Sequence, residues 1–343
     1  MYRKLPMFKK LFNLVLLFAL GIGIILMVSA CNGISGNNSS ISNSAPITDN
    51  CRSIKHTMGE TCVPINPQRI VVLDNMMLEG VLALKQEPIG GPLRYVPPHM
   101  PVGDMIDVGI EGGVNLERVL ALKPDLILGL ADPWVDAQPY PQLSQIAPTV
   151  LVQFKHSGEW KEIFAFVGEV LGKSEQVNQI MADYTQRLER FKSKINTSED
   201  SRKHNQITKT QVSVIRIYPE MITLYTKPGF IGTVLEDAGL PRPPSQDLNL
   251  EETQALTGDT IQYSISKEVF NKADGDVVFV IVGSWDSKIK DVLTSLKSDP
   301  LWSKLNAVRQ GKVYEVGDHW VGSGPIAANA VIDDLFKYLV NTP

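Results

Sequence analysis

The sequence predicts an α/β protein made of two doubly wound lobes joined by a single long helix. Three observations predict it. Short continuous apolar runs alternate with helical stretches, the alternation occurs in two series, and one long amphipathic stretch, 175–195, separates them.

In the first series, residues 70–73 (Ile-Val-Val-Leu) read as a buried strand, 76–85 as a helix and 88–90 as a second short strand. Helix 116–123, strand 124–129, helix 142–146 and strand 148–154 follow. Strands that are apolar throughout, rather than alternating, indicate a mostly parallel sheet covered on both faces. Residues 160–172 are helical. So is 175–195, the longest helix, with Val177, Ile180, Met181, Tyr184, Leu188 and Phe191 at three-four spacing along one face. Residues 196–209 are polar and read as a surface loop.

The second series runs through strands 211–218 and 221–226, helix 231–238, strand 276–283, helix 288–296 and strand 312–316. A final helix, 325–340, begins on Pro325, a residue suited to a first helical turn. The lobes are thus expected at 51–172 and 197–343, with the interlobe helix at 173–196.

The first thirty residues carry Arg3, Lys4, Lys9 and Lys10 and no acid, and an apolar run over 11–28 leads to Val28-Ser29-Ala30-Cys31. A basic head, an apolar middle and small residues before a cut site mark an export signal. The alternative is a membrane anchor, because the run is just long enough to span a bilayer. It ends, however, on Ser-Ala-Cys rather than on a charged flank. The four residues resemble the bacterial lipobox, which implies a signal peptide over 1–30 and a lipid-bearing Cys31 that holds the chain outside the cytoplasm. Residues 31–50, rich in Ser and Asn, have little to bury and read as a flexible tether.

Loss of residues 1–30 removes four positive charges and no negative ones, so the formal charge moves from −4 to −8. So acidic a body argues against a nucleic-acid partner, which demands concentrated Lys and Arg. With Cys31 spent on lipid, Cys51 and Cys62 remain. Outside the cytoplasm such a pair usually forms a disulfide, here closing a short hairpin that turns near Met58-Gly59. Metal binding by two isolated thiols is the less favoured alternative.

Enzyme signatures are missing. There is no G-x-S-x-G elbow and no H-E-x-x-H zinc helix. Residues 168–174 (Gly-Glu-Val-Leu-Gly-Lys-Ser) look like a phosphate loop, but one residue short and at a helix end rather than after a strand. His56, His99, His156, His204 and His319 are scattered with no i,i+4 pair, which speaks against a zinc site. Neither a catalytic residue nor a cofactor is expected.

Recognition is the chemistry that remains. In open α/β sheets ligands bind beyond the carboxyl ends of the strands. Arg94 and Tyr95 follow one predicted strand, Trp134 another and Trp160 a third; Arg216 and Tyr218 end a fourth, with Trp285 and Trp320 after two more. Arg offers two-point hydrogen bonding to carboxylate or hydroxamate oxygens, and Trp and Tyr give rigid surface with a polar edge. These eight are the expected ligand contacts, suited to a bulky anionic ligand in an interlobe cleft. The ordinary alternatives are a Trp covering the core and an Arg in a surface ion pair. Trp302, in Pro-Leu-Trp-Ser, is assigned to packing.

The stretch 56–73, His-Thr-Met-Gly-Glu-Thr-Cys-Val-Pro-Ile-Asn-Pro-Gln-Arg-Ile-Val-Val-Leu, resembles the opening of the iron-siderophore ABC-transporter substrate-binding proteins. That family holds the ferric-citrate, ferrichrome and cobalamin binders. Further matches at 115–128 (Asn-Leu-Glu-Arg-Val-Leu-Ala-Leu-Lys-Pro-Asp-Leu-Ile-Leu), 143–150, 233–240 and 299–314 run in the family's order to the end of the chain. The resemblance implies class III periplasmic-binding-protein architecture with modest hinge motion. It implies delivery of a ferric siderophore, of carboxylate or hydroxamate type, to an ABC permease and its ATPase, by a monomer that performs no reaction. The siderophore, not the protein, would coordinate Fe³⁺. In such binders an acid on each lobe docks onto permease arginines; the matching positions are Glu117 and Glu236, which could otherwise be dipole-favoured surface acids. Cobalamin or haem is the alternative ligand, and an α/β enzyme or a transporter-independent sensor the alternative function.

Overall fold

The structure is a computed structural model that describes residues 50–94, 96–109, 113–131, 139–196, 209–219, 221–283 and 288–340. Cys31 and the predicted signal, tether and 196–209 loop therefore lie outside the described residues, apart from Asn50, Asn196 and Lys209.

The described chain opens with the hairpin β1 (Cys51–His56) and β2 (Gly59–Pro64), paired so that Cys51 faces Pro64 and His56 faces Gly59. A Cys51–Cys62 disulfide closes it, with Cα atoms 5.5 Å apart. Thr57 N–H donates to the Leu151 carbonyl at 3.0 Å, and Arg52 Nη2 to the Val170 carbonyl at 3.0 Å, which seats the hairpin on the first lobe.

β3 (Ile70–Val72), α1 (Asn75–Ala83), β4 (Gly90–Gly91), β5 (Ile106–Asp107), α2 (Leu116–Leu122), β6 (Leu126–Ala131), α3 (Tyr140–Ile146) and β7 (Thr149–Gln153) form that lobe. Its five strands lie in the order β5-β4-β3-β6-β7, all parallel. Asp74 organises the centre. Its Oδ1 accepts the Met77 N–H at 2.8 Å, capping α1, while Oδ2 accepts the Leu130 N–H of β6 at 3.0 Å.

Two helices then cross to the second lobe, α4 (Trp160–Leu171) and the 23-residue α5 (Ser174–Asn196). Gly172, in the left-handed region at φ +66, is the C-cap that separates them. The phosphate-loop look-alike is thus a helix-to-helix joint. The second lobe contains β8 (Val212–Ile217), β9 (Ile222–Tyr225), α6 (Phe230–Asp237), α7 (Leu250–Thr257), β10 (Gln262–Ile265), β11 (Val277–Ile281), α8 (Ile289–Lys297), α9 (Asn306–Arg309), β12 (Val313–Val316) and α10 (Pro325–Leu335). Its strand order is β10-β9-β8-β11-β12. β8, β11 and β12 are parallel, but β9 runs antiparallel to β8, and β10 to β9. The short link between β8 and β9 permits only an antiparallel return, because a parallel one needs a crossover of a dozen residues or more.

Each sheet is covered on both faces. The outer face of the first packs with Val108, Val119 and Leu143, and that of the second with Phe270, Leu293 and Trp302. Trp302 stacks on Phe270 at 5.8 Å, the packing role assigned to it. The inner faces share one core, in which Val72 and Leu128 of one sheet and Val214 and Phe279 of the other join α1, α4, α5, α6 and α10. Among the described residues no helix is long and apolar enough to cross a membrane.

Asp74→Ala removes a helix cap and leaves the buried Leu130 N–H unsatisfied. We expect a loss of about 2–4 kcal/mol in urea unfolding, by addition of the cap and unmet-donor costs. A loss below about 1 kcal/mol would show that the strand bond is dispensable.

Candidate ligand-binding cleft

Both sheets deliver their carboxyl ends to one region, and side chains cross between the lobes there. After β7, Ser157 Oγ accepts the Phe230 N–H at the start of α6 at 3.1 Å. Trp160 Nε1 donates to Thr233 Oγ1 at 3.1 Å. Tyr184 OH donates to Asp237 at 2.8 Å, where Lys161 also makes an ion pair. Burial, with the Asp237 charge behind it, pushes the Tyr184 phenol up, so it remains a neutral donor.

Against this joint lies a cavity of about 210 Å³ lined by Ser157, Arg216, Tyr218, Tyr225, Phe230 and Trp320, among others. Arg216, next to last in strand β8, gives it positive charge. Its Nη1 donates to the Tyr225 hydroxyl at 3.3 Å, and its guanidinium lies 4.9 Å from the Tyr218 ring centre. The two tyrosines fix the guanidinium plane by a hydrogen bond and by cation–π contact. Burial pushes the Tyr225 phenol up as well, which keeps it uncharged beside the arginine. A larger hollow of about 720 Å³ runs along the edge strand β10. We regard it as subsidiary, because its lining comes from one lobe alone and includes no arginine.

Trp320, Val321 and Gly322 form another wall. Trp320 has no exposed surface; its ring stacks on Phe279 at 4.3 Å and its Nε1 donates to Asp334 at 2.9 Å. The same carboxylate lies 2.8 Å from His319 Nε2. Burial raises the Asp334 pKa, but the His319 and Trp320 hydrogen bonds outweigh it and hold the carboxyl below the usual range. His99, from the loop after β4, faces His319 edge-on at 6.2 Å between centroids. Burial and the neighbouring imidazole both lower its pKa.

Of the eight expected contacts, Arg216, Tyr218 and Trp320 are brought together around the cavity. Arg94 is exposed in the loop after β4. Tyr95, Trp134 and Trp285 lie outside the described residues. Trp160 is placed differently from expectation. Its surface is fully buried and its ring packs edge-on against Tyr184 at 5.5 Å and Phe230 at 5.8 Å, so it serves as an interlobe core residue. Its position as the first residue of α4, with Ile163, Phe164 and Val167 on the same buried side, decides this. Tyr225, Ser157 and the His99–His319 contact were missed; a Tyr on the buried face of a strand beside an Arg was the available signal for the first.

Glu117 is exposed in the first turn of α2, where the dipole favours an acid. Glu236 is also exposed but sits in the last turn of α6, where the dipole disfavours one. The electrostatic explanation thus serves Glu117 and fails for Glu236. Among the described residues, no group of three or more His, Cys, Asp or Glu is placed to hold a metal.

The family model described as periplasmic binding protein matches residues 70–319. The chain belongs to the periplasmic binding protein family. It is 31% identical over 346 residues to the probable siderophore-binding lipoprotein YfiY of Bacillus subtilis, covering 97% of this chain and 99% of that protein. The Fe(3+)-citrate-binding protein YfmC of the same organism is 26% identical, with 92% and 94% covered. Among solved structures, Staphylococcus aureus SirA complexed with staphyloferrin B superposes with a TM-score of 0.70 at 25% identity, covering 84% of this chain and 98% of that one. The class III, two-lobed fold expected from the sequence is the fold of this periplasmic binding protein.

Trp160→Phe keeps the ring packing and removes the N–H donated to Thr233. Urea unfolding should show a loss of about 1–3 kcal/mol, the cost of a broken buried hydrogen bond. An unchanged midpoint would show that the bond to Thr233 is dispensable.

Proposed function

We propose that this periplasmic binding protein is the lipid-anchored receptor of an ABC importer, binding a ferric siderophore in the interlobe cleft and releasing it to the permease. The observation that carries the ligand class is the oriented guanidinium of Arg216, stacked on Tyr218 and held by Tyr225 at the cavity wall. A ferric carboxylate or hydroxamate complex is bulky and oxygen-rich. An aromatic wall with an arginine answers both its bulk and its charge. The nearly full-length similarity to a siderophore-binding lipoprotein supports the same reading.

Arg94, Arg216 and Tyr218 are the described residues we assign to the ligand, with Tyr95, Trp134 and Trp285 completing the set; Trp320, as fully buried as Trp160, backs the cavity wall. The siderophore keeps the iron's coordination shell, so no protein ligand to Fe³⁺ is required. The lobes extend over 51–172 and 197–343, joined by 173–196. Cys31 carries the lipid, the Ser/Asn-rich 31–50 segment is its tether, and Glu117 and Glu236, one on each lobe, address the permease. A single copy suffices for all of this.

One paired experiment tests the reading. Tryptophan fluorescence is titrated with ferric citrate, ferrioxamine B, cobalamin and haem, and iron uptake is followed in cells carrying the same variants. A ferric siderophore should bind, and Arg216→Ala should weaken it at least about tenfold, the effect of losing roughly 1.4 kcal/mol of charged hydrogen bonding. The double variant Glu117→Lys/Glu236→Lys should bind as the wild type does and fail to support uptake. Tight binding of cobalamin alone would overturn the iron reading, and loss of affinity in the double variant would overturn the docking role.

A further inference from the structure

Glu79 is the only titratable residue on α1, within Asn-Met-Met-Leu-Glu-Gly-Val-Leu-Ala, and its relative exposure is 0%. Its side chain reaches across to the other lobe. Oε1 accepts the Ala327 N–H at 2.7 Å; Oε2 accepts the Ser323 N–H at 3.2 Å and the Ser323 O–H at 3.3 Å. These groups surround the start of α10, whose own N-cap, Gly324, provides no side-chain bond. The orphan N–H groups of a helix start need acceptors, and here a carboxylate from the opposite lobe supplies them. Gly324 is part of the fit, since a Cβ there would stand 2.9 Å from Glu79 Cδ and 3.0 Å from Cγ. The segment so held continues directly from Trp320, Val321 and Gly322, which line the cavity.

We propose that Glu79 is a positioning residue for ligand binding: from the first lobe it caps α10 and fixes residues 321–324, the segment that walls the cleft on the second lobe. The link to binding rests on the function proposed above, whereas the cap and the fixed segment do not.

Among the described residues on the elements packed against α1, no cation compensates this carboxylate. Of the elements packed on α1, β3 and β6 carry no titratable group. α4 carries Lys161, paired with Asp237, and the exposed Glu162 and Glu169. α10 carries Asp333, paired with Arg187 of α5, and Asp334, engaged by His319 and Trp320. Asp74, before α1, is turned to the Met77 and Leu130 amides. Burial therefore dominates and pushes the Glu79 carboxyl up to about 7, against the hydrogen bonds from Ala327, Ser323 and Ile326. A raised carboxyl pKa favours the closed contact while the group is protonated and weakens it as pH rises through 7. Opening that hydrates Glu79 should become about tenfold easier between pH 6 and pH 8.

Hydrogen exchange of the ligand-free protein, read on a peptide spanning 321–328 and corrected for intrinsic rates, tests this. The wild type should open about tenfold more at pH 8 than at pH 6. Glu79→Gln, which keeps an acceptor but does not titrate, should show no such dependence. Glu79→Ala should open more at both pH values, with β11 unaffected in every case. A wild-type pH dependence in Glu79→Gln, or wild-type protection in Glu79→Ala, would overturn the proposal. Titration with ferrioxamine B and ferric citrate at both pH values separates the two claims. If the wild type binds neither while the exchange pattern holds, the function above fails and the fixed segment stands. If the wild type binds and Glu79→Gln keeps its pH profile of affinity, the positioning role fails and the function stands.

Discussion

The structure depends on the apolar core that the two lobes share. Trp160 sits at its centre, wedged between Tyr184 of α5 and Phe230 of α6, with its N–H on Thr233. The inner faces of both sheets converge on the same cluster through α1, α4, α5, α6 and α10. Two lobes tied by a flexible linker would each close their own core; these close one between them. Interiors packed in this way are stiff and resist sliding, so any relative movement must leave most of that contact intact. The cleft is therefore largely preset.

A preset cleft suits a receptor whose work is capture and release. Rigidity lowers the entropy lost on binding, and the aromatic frame around Arg216 removes freedom from its guanidinium. Of the polar bonds between lobes, Ser157 to Phe230 lies at that cavity and Glu79 to the start of α10 lies just beyond its wall. Core and cleft are thus consecutive layers of one interface. The exposed acids Glu117 of α2 and Glu236 of α6 lie outside that interface.

Much of the fold was legible in the sequence because strand burial and helix periodicity leave local marks. The strands at 70–73, 124–129, 211–218 and 276–283, the helices at 160–172 and 175–195 and the Cys51–Cys62 hairpin all appear within a few residues of their expected bounds. β5, with two residues, leaves almost no mark. α7 and β10 were passed over, although Asn249 and Glu252 form a capping box that the Asn-Leu-Glu-Glu stretch could have disclosed. Strand-end position singled out Arg216, Tyr218 and Trp320, which line one cavity, but could not tell them from Trp160. Arg216 ends β8 and the other three follow strands, and that position alone does not separate a cavity residue from a core residue. Glu79 shows the same limit from the other side: an acid in an apolar helix is visible, but its partner 248 positions away is not.

Calorimetric unfolding of the chain without its ligand tests the shared core most directly. The account predicts one cooperative transition whose calorimetric and van't Hoff enthalpies agree, because neither lobe can melt without exposing the core of the other. Two resolved transitions, one for each sheet, would contradict it.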